Sequence, residues 1–174
     1  FAIAKKLGIS KSILFKTLAS FKGLKFRQQI IYKSKKLTLI NDSKATSYSS
    51  SVNILKSLKK VYWIVGGIPK VGDKFLMSKS QCSNIKAYIF GKNKNSFIRE
   101  LKYKIKYEHF ENLKKALKKI ILDLKAKKNE TKHITILFSP SAASFDSFKD
   151  FEDRGEKFNQ LIKKLNLKNI INAK

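Results

Sequence analysis

The sequence has almost none of the residues that crosslink a chain or bind a metal. Of 174 residues, one is cysteine, two are histidine and two are proline. The lone Cys82 excludes an internal disulfide, so we expect a small apolar residue in a reducing, cytoplasmic setting. His109 and His133 have no neighbours at metal-ligand spacing, and we predict no metal-binding residue. No apolar run reaches the roughly 20 residues that span a bilayer.

Acidic residues are also scarce, and the formal net charge is +27. A charge of this size is typical of proteins that bind nucleic acid. However, the chain has only three arginines, the side chain that reads bases and phosphates by paired hydrogen bonds. The lysines are spread along the whole chain, as AT-rich codon usage would produce. We therefore favour a solvated basic surface that attracts anionic substrates, and nucleic-acid binding stays open as an alternative.

Short apolar runs alternate with helical patterns along most of the chain. The alternating stretch YKIKYEHF, residues 103–110, predicts an outer strand. Strand–helix alternation implies right-handed crossovers. We predict an α/β fold with a mostly parallel, Rossmann-like sheet and flanking helices. Four continuous apolar or β-branched runs predict its buried strands: Leu37–Ile40, Val61–Val65, Ala87–Phe90 and Ile134–Phe138.

Apolar spacing predicts two long helices, over residues 111–127 and about 147–165. The first is basic and amphipathic, a pattern that also suits a membrane surface. Because strands flank it on both sides, we favour packing on the sheet. Near the start of the chain, Gly8 is typical of a helix end, and Ser10 of the N-cap of a short helix over 11–20.

Three predicted strands end in polar or glycine-rich turns: INDSKATS (40–47), GGIPKVGD (66–73) and SPSAASFD (139–146). In open parallel sheets, ligands bind beyond the carboxyl ends of the strands, so these turns are expected to share one rim. Each turn taken alone also has a structural interpretation. Ser43 or Thr46 fits an N-cap, and a lysine in a Gly/Pro loop fits an exposed side chain.

Taken together and in order, five stretches resemble the Mur ligase family, most closely its D-glutamate-adding members. The last stretch is the most specific, because family members carry a run like SPACASFDxFxxFxxRGxxF there. The resemblance covers nearly the whole chain. It implies that residues 1–35 are a remnant of the central ATPase domain and residues 36–174 the C-terminal, Rossmann-like, D-glutamate-binding domain. The five stretches are FKGLKFRQQ (21–29), INDSKATS (40–47), GGIPKVGDKF (66–75), YIFG (88–91) and SPSAASFDSFKDFEDRGEKF (139–158).

The resemblance implies an ATP-dependent amide ligase of peptidoglycan synthesis, with Mg²⁺ to offset the phosphate charge. In that reaction the carboxylate of UDP-N-acetylmuramoyl-L-alanine is phosphorylated, and the amine of D-glutamate attacks the acyl phosphate. The parent protein is expected to be a cytoplasmic monomer that uses these three substrates, without a nucleic-acid or membrane partner.

Seven positions match functional positions of the family. Thr46 and Ser144 match positions that hold the α-carboxylate of D-glutamate. Lys70 matches the lysine that faces its side-chain carboxylate, a charge-assisted contact. Phe151 matches a further contact to the same amino acid.

The other three matches concern the nucleotide. Arg27 and Asp42 match residues that contact ATP across the domain cleft. Lys44 matches a catalytic lysine near the reacting phosphate. The turn after the first strand is thus expected to face both nucleotide and amino acid.

The chain departs from the family pattern at several points. Phe26-Arg27-Gln28-Gln29 stands where His-Arg-x-Glu is usual, Ser47 replaces an Asn and Ala142 a Cys. The uridine-nucleotide domain and the phosphate loop are absent, so we expect no catalysis by this chain alone. Two further alternatives are a non-catalytic, stand-alone domain and a Mur ligase that adds a different amino acid.

Overall fold

The computed structural model describes residues 1–127 and 132–165. Its centre is a six-stranded sheet with the order β1-β2-β6-β3-β4-β5. The four pairings from β2 to β5 are parallel, and β1 pairs antiparallel with β2. The strands are β1 (Gln29–Lys33), β2 (Leu37–Asn41), β3 (Val61–Gly66), β4 (Ile85–Phe90), β5 (Lys106–Phe110) and β6 (Ile134–Phe138).

The predicted fold class is confirmed, and all four buried strands lie where the apolar runs placed them. Every residue of β2, β3 and β6 is buried, because helices cover both faces of the sheet. The predicted outer strand, β5, is an edge strand that begins at Lys106. The antiparallel β1 was not among the strands predicted from the sequence. It precedes the boundary expected between residues 35 and 36, yet it belongs to the same sheet.

Six α-helices accompany the sheet in the described part of the chain. Helices α5 and α6 bury apolar side chains in the core on one face of the sheet. Helices α3 and α4 do so on the other face, around Trp63. The helices are α1 (Ala2–Lys6), α2 (Lys11–Ser20), α3 (Tyr48–Ser57), α4 (Lys94–Leu101), α5 (Leu113–Ala126) and α6 (Phe151–Lys164).

The helix boundaries show which local sequence signals predicted the helix ends correctly. Ser10 caps α2, and Gly8 follows α1 with a φ of 71°, both as predicted. Helix α5 packs its apolar face on the sheet and not on a membrane, and no described helix has the length and hydropathy needed to cross a bilayer. The N-cap of α3 is Ser47, so the interpretation of Ser43 or Thr46 as that cap is wrong.

The start of α6 also differs from the prediction of about residue 147. The helix begins at Phe151, because the Asp150 carboxylate caps it by accepting from the Asp153 N–H at 2.8 Å. Residues 139–150 form a longer loop instead. This loop has room to reach the neighbouring strand ends.

Tyr48 places a hydroxyl inside the core formed with Trp63, Phe75 and Phe97. No described residue forms a hydrogen bond with that buried oxygen. Since an unpaired buried hydroxyl is destabilising, Tyr48→Phe should leave the free energy of unfolding unchanged or raise it by up to about 1 kcal/mol. Denaturant unfolding monitored by circular dichroism measures this.

Tyr88→Phe is the matched control. The Tyr88 hydroxyl donates to Asp123 Oδ2 at 2.6 Å, so its loss should lower the free energy of unfolding by about 1.5–3 kcal/mol. Equal effects of the two substitutions would contradict this interpretation of Tyr48.

Candidate functional site

The three polar turns do meet at one rim, because β6 lies between β2 and β3 in the sheet. Backbone bonds join the turns directly. The Asp42 N–H donates to Phe138 O at 2.7 Å, and the Gly66 N–H to Pro140 O at 3.1 Å. Ile68 and Ala143 then exchange two bonds of 2.8 and 2.9 Å.

This close approach of backbones requires a glycine at position 67. Its φ is 129°, and a Cβ there would lie 2.3 Å from Ala143 O. The GG pair of the second turn therefore has a structural reason. It lets the turn after β3 pair with the turn after β6.

Asp42 is buried at this rim, and both of its carboxylate oxygens accept hydrogen bonds. Oδ1 accepts from the Gln28 N–H at 3.0 Å and Oδ2 from the Ser139 hydroxyl at 2.8 Å. Burial raises the pKa of Asp42, while these two bonds and the nearby charge of Arg27 oppose the rise. Asp42 thus holds the turn on which the exposed Arg27 lies.

Gln29 stands where the family usually has a glutamate, and its amide oxygen still supplies a hydrogen-bond acceptor in this turn. Gln29 Oε1 accepts from the Phe26 N–H at 3.2 Å, so a neutral amide closes the turn. Phe26 is buried with a φ of 60°, and its ring packs against the backbone of Gly155 in α6. A Cβ at Gly155 would lie 2.4 Å from that ring.

Lys44 and Phe151 lie in direct contact. The Lys44 ammonium nitrogen is 3.7 Å from the centre of the Phe151 ring, a cation–π arrangement. The Phe151 carbonyl accepts from the Ser43 hydroxyl at 2.8 Å. The turn after β2 is therefore fixed to the first residue of α6, and the residue expected near phosphate touches one expected near the amino acid.

Thr46 and Lys70 are exposed on adjacent turns. The two turns are joined where the Tyr48 N–H, in the first turn of α3, donates to Asp73 Oδ2 at 2.6 Å. Lys70 follows Ile68, whose backbone pairs with Ala143 in the third turn. Thr46 and Lys70 thus lie on neighbouring loops with their side chains available to a ligand.

Ser144 lies in the third turn and is 3% exposed. Its carbonyl accepts from the N–H groups of Ser147 and Phe148. Among the described residues, none bonds to its hydroxyl. The preceding Ser141 has a φ of 56°, an uncommon conformation for a residue with a side chain, and strain of this kind clusters at binding sites.

Arg154 is the functional candidate that the sequence interpretation missed. It is fully buried in α6 and donates to Ser43 O at 2.7 Å, Ser43 Oγ at 3.1 Å and Ala142 O at 2.9 Å. Burial lowers its pKa to about 10, so it stays charged at neutral pH. One signal was present in the sequence: arginine is rare in this lysine-rich chain, and here it lies inside the most specific motif.

The remaining candidates have structural roles. The two ring nitrogens of His133 each lie 3.0 Å from an oxygen, Nε2 from Thr38 Oγ1 and Nδ1 from Lys35 O. Cys82 is buried, and burial raises the pKa of its thiol. Across residues 1–127 and 132–165, no three His, Cys, Asp or Glu side chains form a group that could hold a metal ion.

Comparison with known proteins identifies the family, although no family model matches the chain. The chain is 36% identical over 172 residues to the UDP-N-acetylmuramoylalanine–D-glutamate ligase of Rickettsia conorii, which covers 98% of this chain and 34% of that protein. The ligase of the same name from the Wolbachia of Brugia malayi is 36% identical over 164 residues, 94% of this chain and 32% of the relative. The Hydrogenobaculum ligase is 38% identical over 93% of this chain and 38% of its own length.

The chain belongs to the Mur ligase family. It spans about a third of the length of the curated relatives it matches, in agreement with the expected C-terminal part of such a ligase. The Mur ligase resemblance drawn from the five stretches is thus confirmed. The roles of the seven matched positions are still predictions.

Asp146, in the third turn of this Mur ligase rim, supplies a pH-dependent test. Both of its carboxylate oxygens are buried and without a hydrogen-bond partner among the described residues, and one lies against Gly91. Burial raises the pKa of Asp146. The Asp146 N–H and the Ser147 side chain, which lie near the carboxylate without full hydrogen-bond geometry, and the charges of Arg154 and Lys92 only partly oppose this. The folded state therefore holds its proton to higher pH than the unfolded state does.

A raised folded pKa stabilises the fold fully below the unfolded value, which is about 3.9, and this stabilisation is lost as pH rises through the folded value. Asp146→Asn cannot lose a proton. The difference in free energy of unfolding, variant minus parent, should therefore increase as pH rises from about 3.5 to 7. Urea unfolding across that range measures it, and a difference that stays flat or decreases would contradict the assignment.

Proposed function

We propose that this chain is the D-glutamate-binding part of an ATP-dependent ligase that extends UDP-N-acetylmuramoyl-L-alanine in peptidoglycan synthesis. The observation that carries the proposal is the convergence of three turns at one rim. Through it, the residues matched to D-glutamate binding lie on neighbouring loops. The name shared by the relatives agrees with this substrate set.

The rim suits an amino acid with two carboxylates. Lys70 supplies an exposed ammonium for the side-chain carboxylate, and charge-assisted hydrogen bonds of this type are the strong ones. The hydroxyls of Thr46 and Ser144 donate to the α-carboxylate. The Phe151 ring, held under Lys44, packs on the carbon chain.

Lys44 links the two halves of the reaction. Its ammonium lies on the Phe151 ring in the chain alone, and it is half-buried there. We propose that it turns towards the acyl phosphate when the substrates bind, since charge develops on that group during amine attack. The amine of D-glutamate, held by the same turns, then lies beside the group it attacks.

ATP supplies the phosphoryl group that activates the acceptor carboxylate. The residues present fit one end of such a nucleotide, because Arg27 is exposed and Asp42 fixes the turn that presents it. We assign these two residues to the ATP side. The described residues form no ligand group for Mg²⁺.

The domain boundary is part of the proposal. Of residues 1–35, we assign α1 and α2 to the central ATPase domain, and we assign β1, which pairs with β2, together with residues 36–174 to the C-terminal domain of a cytoplasmic ligase. In support, α1 and α2 have no buried residues. Apolar side chains of this segment are exposed at Phe1, Ile3, Leu7, Ile9, Ile13, Phe15, Leu18, Phe21 and Leu24.

A chimaera tests the proposed function. This chain would replace the aligned segment of the Rickettsia conorii ligase, and ADP release would be followed with each substrate present or absent. We expect ADP release that requires UDP-N-acetylmuramoyl-L-alanine and D-glutamate together, and that L-glutamate does not support. A folded chimaera that is inactive, or that accepts another amino acid better, would refute the assignment.

Lys70→Ala in that chimaera should raise the KM for D-glutamate about 10- to 100-fold, because a charge-assisted contact contributes roughly 1.5–3 kcal/mol. The KM for ATP should not change. Lys56→Ala is the matched control, since Lys56 is exposed in the last turn of α3, away from the rim. Steady-state kinetics decide, and an unchanged KM for D-glutamate would remove Lys70 from the site.

A further inference from the structure

Arg154 joins the two turns that carry the proposed amino-acid contacts. Its Nε and Nη2 atoms donate to Ser43, which lies between Asp42 and Lys44. Its Nη1 atom donates to Ala142, two residues before Ser144. Helix α6, which carries Arg154, also places Phe151 one turn earlier. Arg154 therefore joins three of the four elements at the rim: the turn after β2, the turn after β6 and helix α6.

The remaining element, the turn after β3, packs against the same group. A Cβ at Gly67 would lie 3.1 Å from Arg154 Nη1, so no side chain separates this turn from the guanidinium. All three turns thus lie around one planar cation. Its hydrogen bonds fix the distance between the Ser43 turn and the Ala142 turn.

This arrangement is a costly way to stabilise a fold. No described carboxylate lies within 4 Å of the Arg154 guanidinium, so the nearby Asp146 interacts with its charge only at longer range, and its hydrogen-bond acceptors are two carbonyls and a hydroxyl. Removing a charge from water without an ion partner is strongly unfavourable, and apolar residues of similar volume often stabilise a protein more. A buried polar group of this kind is better suited to fixing a geometry.

We propose that Arg154 is a positioning residue for the amino-acid substrate. It holds the Ser43 and Ala142 turns at the separation at which Lys44, Thr46 and Ser144 face one D-glutamate. This role rests on the proposed function, and it concerns a residue that does not touch the substrate. The planar fork matters as much as the charge, because a lysine ammonium cannot reach three acceptors in these directions.

Titration of the 174-residue chain with D-glutamate, followed by amide NMR shifts, tests the proposal. Arg154→Ala and Arg154→Lys should both raise the Kd for D-glutamate at least about tenfold at a temperature where each variant stays folded. Arg99→Lys is the matched control, because Arg99 is exposed on α4. It should leave the Kd unchanged.

Chemical rescue separates positioning from general stability. Millimolar ethylguanidinium should refill the space left in Arg154→Ala and restore a Kd close to that of the parent, and it should not affect the parent. If Arg154→Ala does not fold, Ser43→Ala is the second variant. It removes the hydroxyl that links Arg154 Nε to Phe151 O, and it should raise the Kd by a smaller factor.

The outcomes are distinguishable. If the parent binds D-glutamate and the folded variants bind it equally well, the positioning role is refuted and the proposed function stands. A raised Kd that ethylguanidinium does not lower also refutes the positioning role. If the folded parent does not bind D-glutamate, the proposed function fails and the role of Arg154 fails with it.

Discussion

The position of β6 between β2 and β3 is the constraint on which the site depends. β6 is the last strand of the described residues and is buried along its whole length, so its apolar residues fix it in the centre of the sheet. Its last residue, Phe138, is level with Asn41 of β2 and Ile64 of β3. Three turns therefore start side by side, and Ser139 reaches Asp42 across 97 residues of sequence.

Beneath the rim lies a polar interior that a stable core alone would not require. Ser51 Oγ lies 2.6 Å from both Ser139 Oγ and Ser141 Oγ, and the Trp63 indole N–H donates to Ser139 O at 2.7 Å. Such a network is costly unless each member is satisfied, and here it holds the third turn in a strained conformation. The proposed ligand contacts Thr46 and Lys70 lie above it, exposed and unconstrained. A binding site is expected to have this arrangement, in which a rigid hydrogen-bond network supports turns whose exposed side chains are free to contact a ligand.

Local sequence patterns were sufficient to predict the buried strands and the long helices. They were not sufficient to predict the order of the strands in the sheet. Continuous apolar runs identified the buried strands, and Ser10 identified the start of α2. The order of the strands depends on long-range packing, which no local pattern records. The same reason explains α6, because the residues before Phe151 have turn-forming contacts that compete with a helix.

The candidate site shows the same division. The residues at strand ends could be predicted because parallel strands place them at one edge, and the family motif assigned them roles. The position of Arg154 inside the most specific motif was visible, but its role could not be predicted, since arginine is rarely buried and only the folded chain shows what its guanidinium reaches. Positive φ at Phe26, Gln28 and Ser141 was equally hidden, because these residue types do not signal it.

The most direct test of the central claim is where D-glutamate binds on this chain. A map of backbone amide shift changes, recorded with saturating D-glutamate, locates the ligand residue by residue. Our account predicts changes concentrated at residues 42–48, 66–73 and 139–151, the three turns of the rim. Shift changes centred instead at the amino ends of β3 and β4, around residues 59–61 and 83–86, would contradict it.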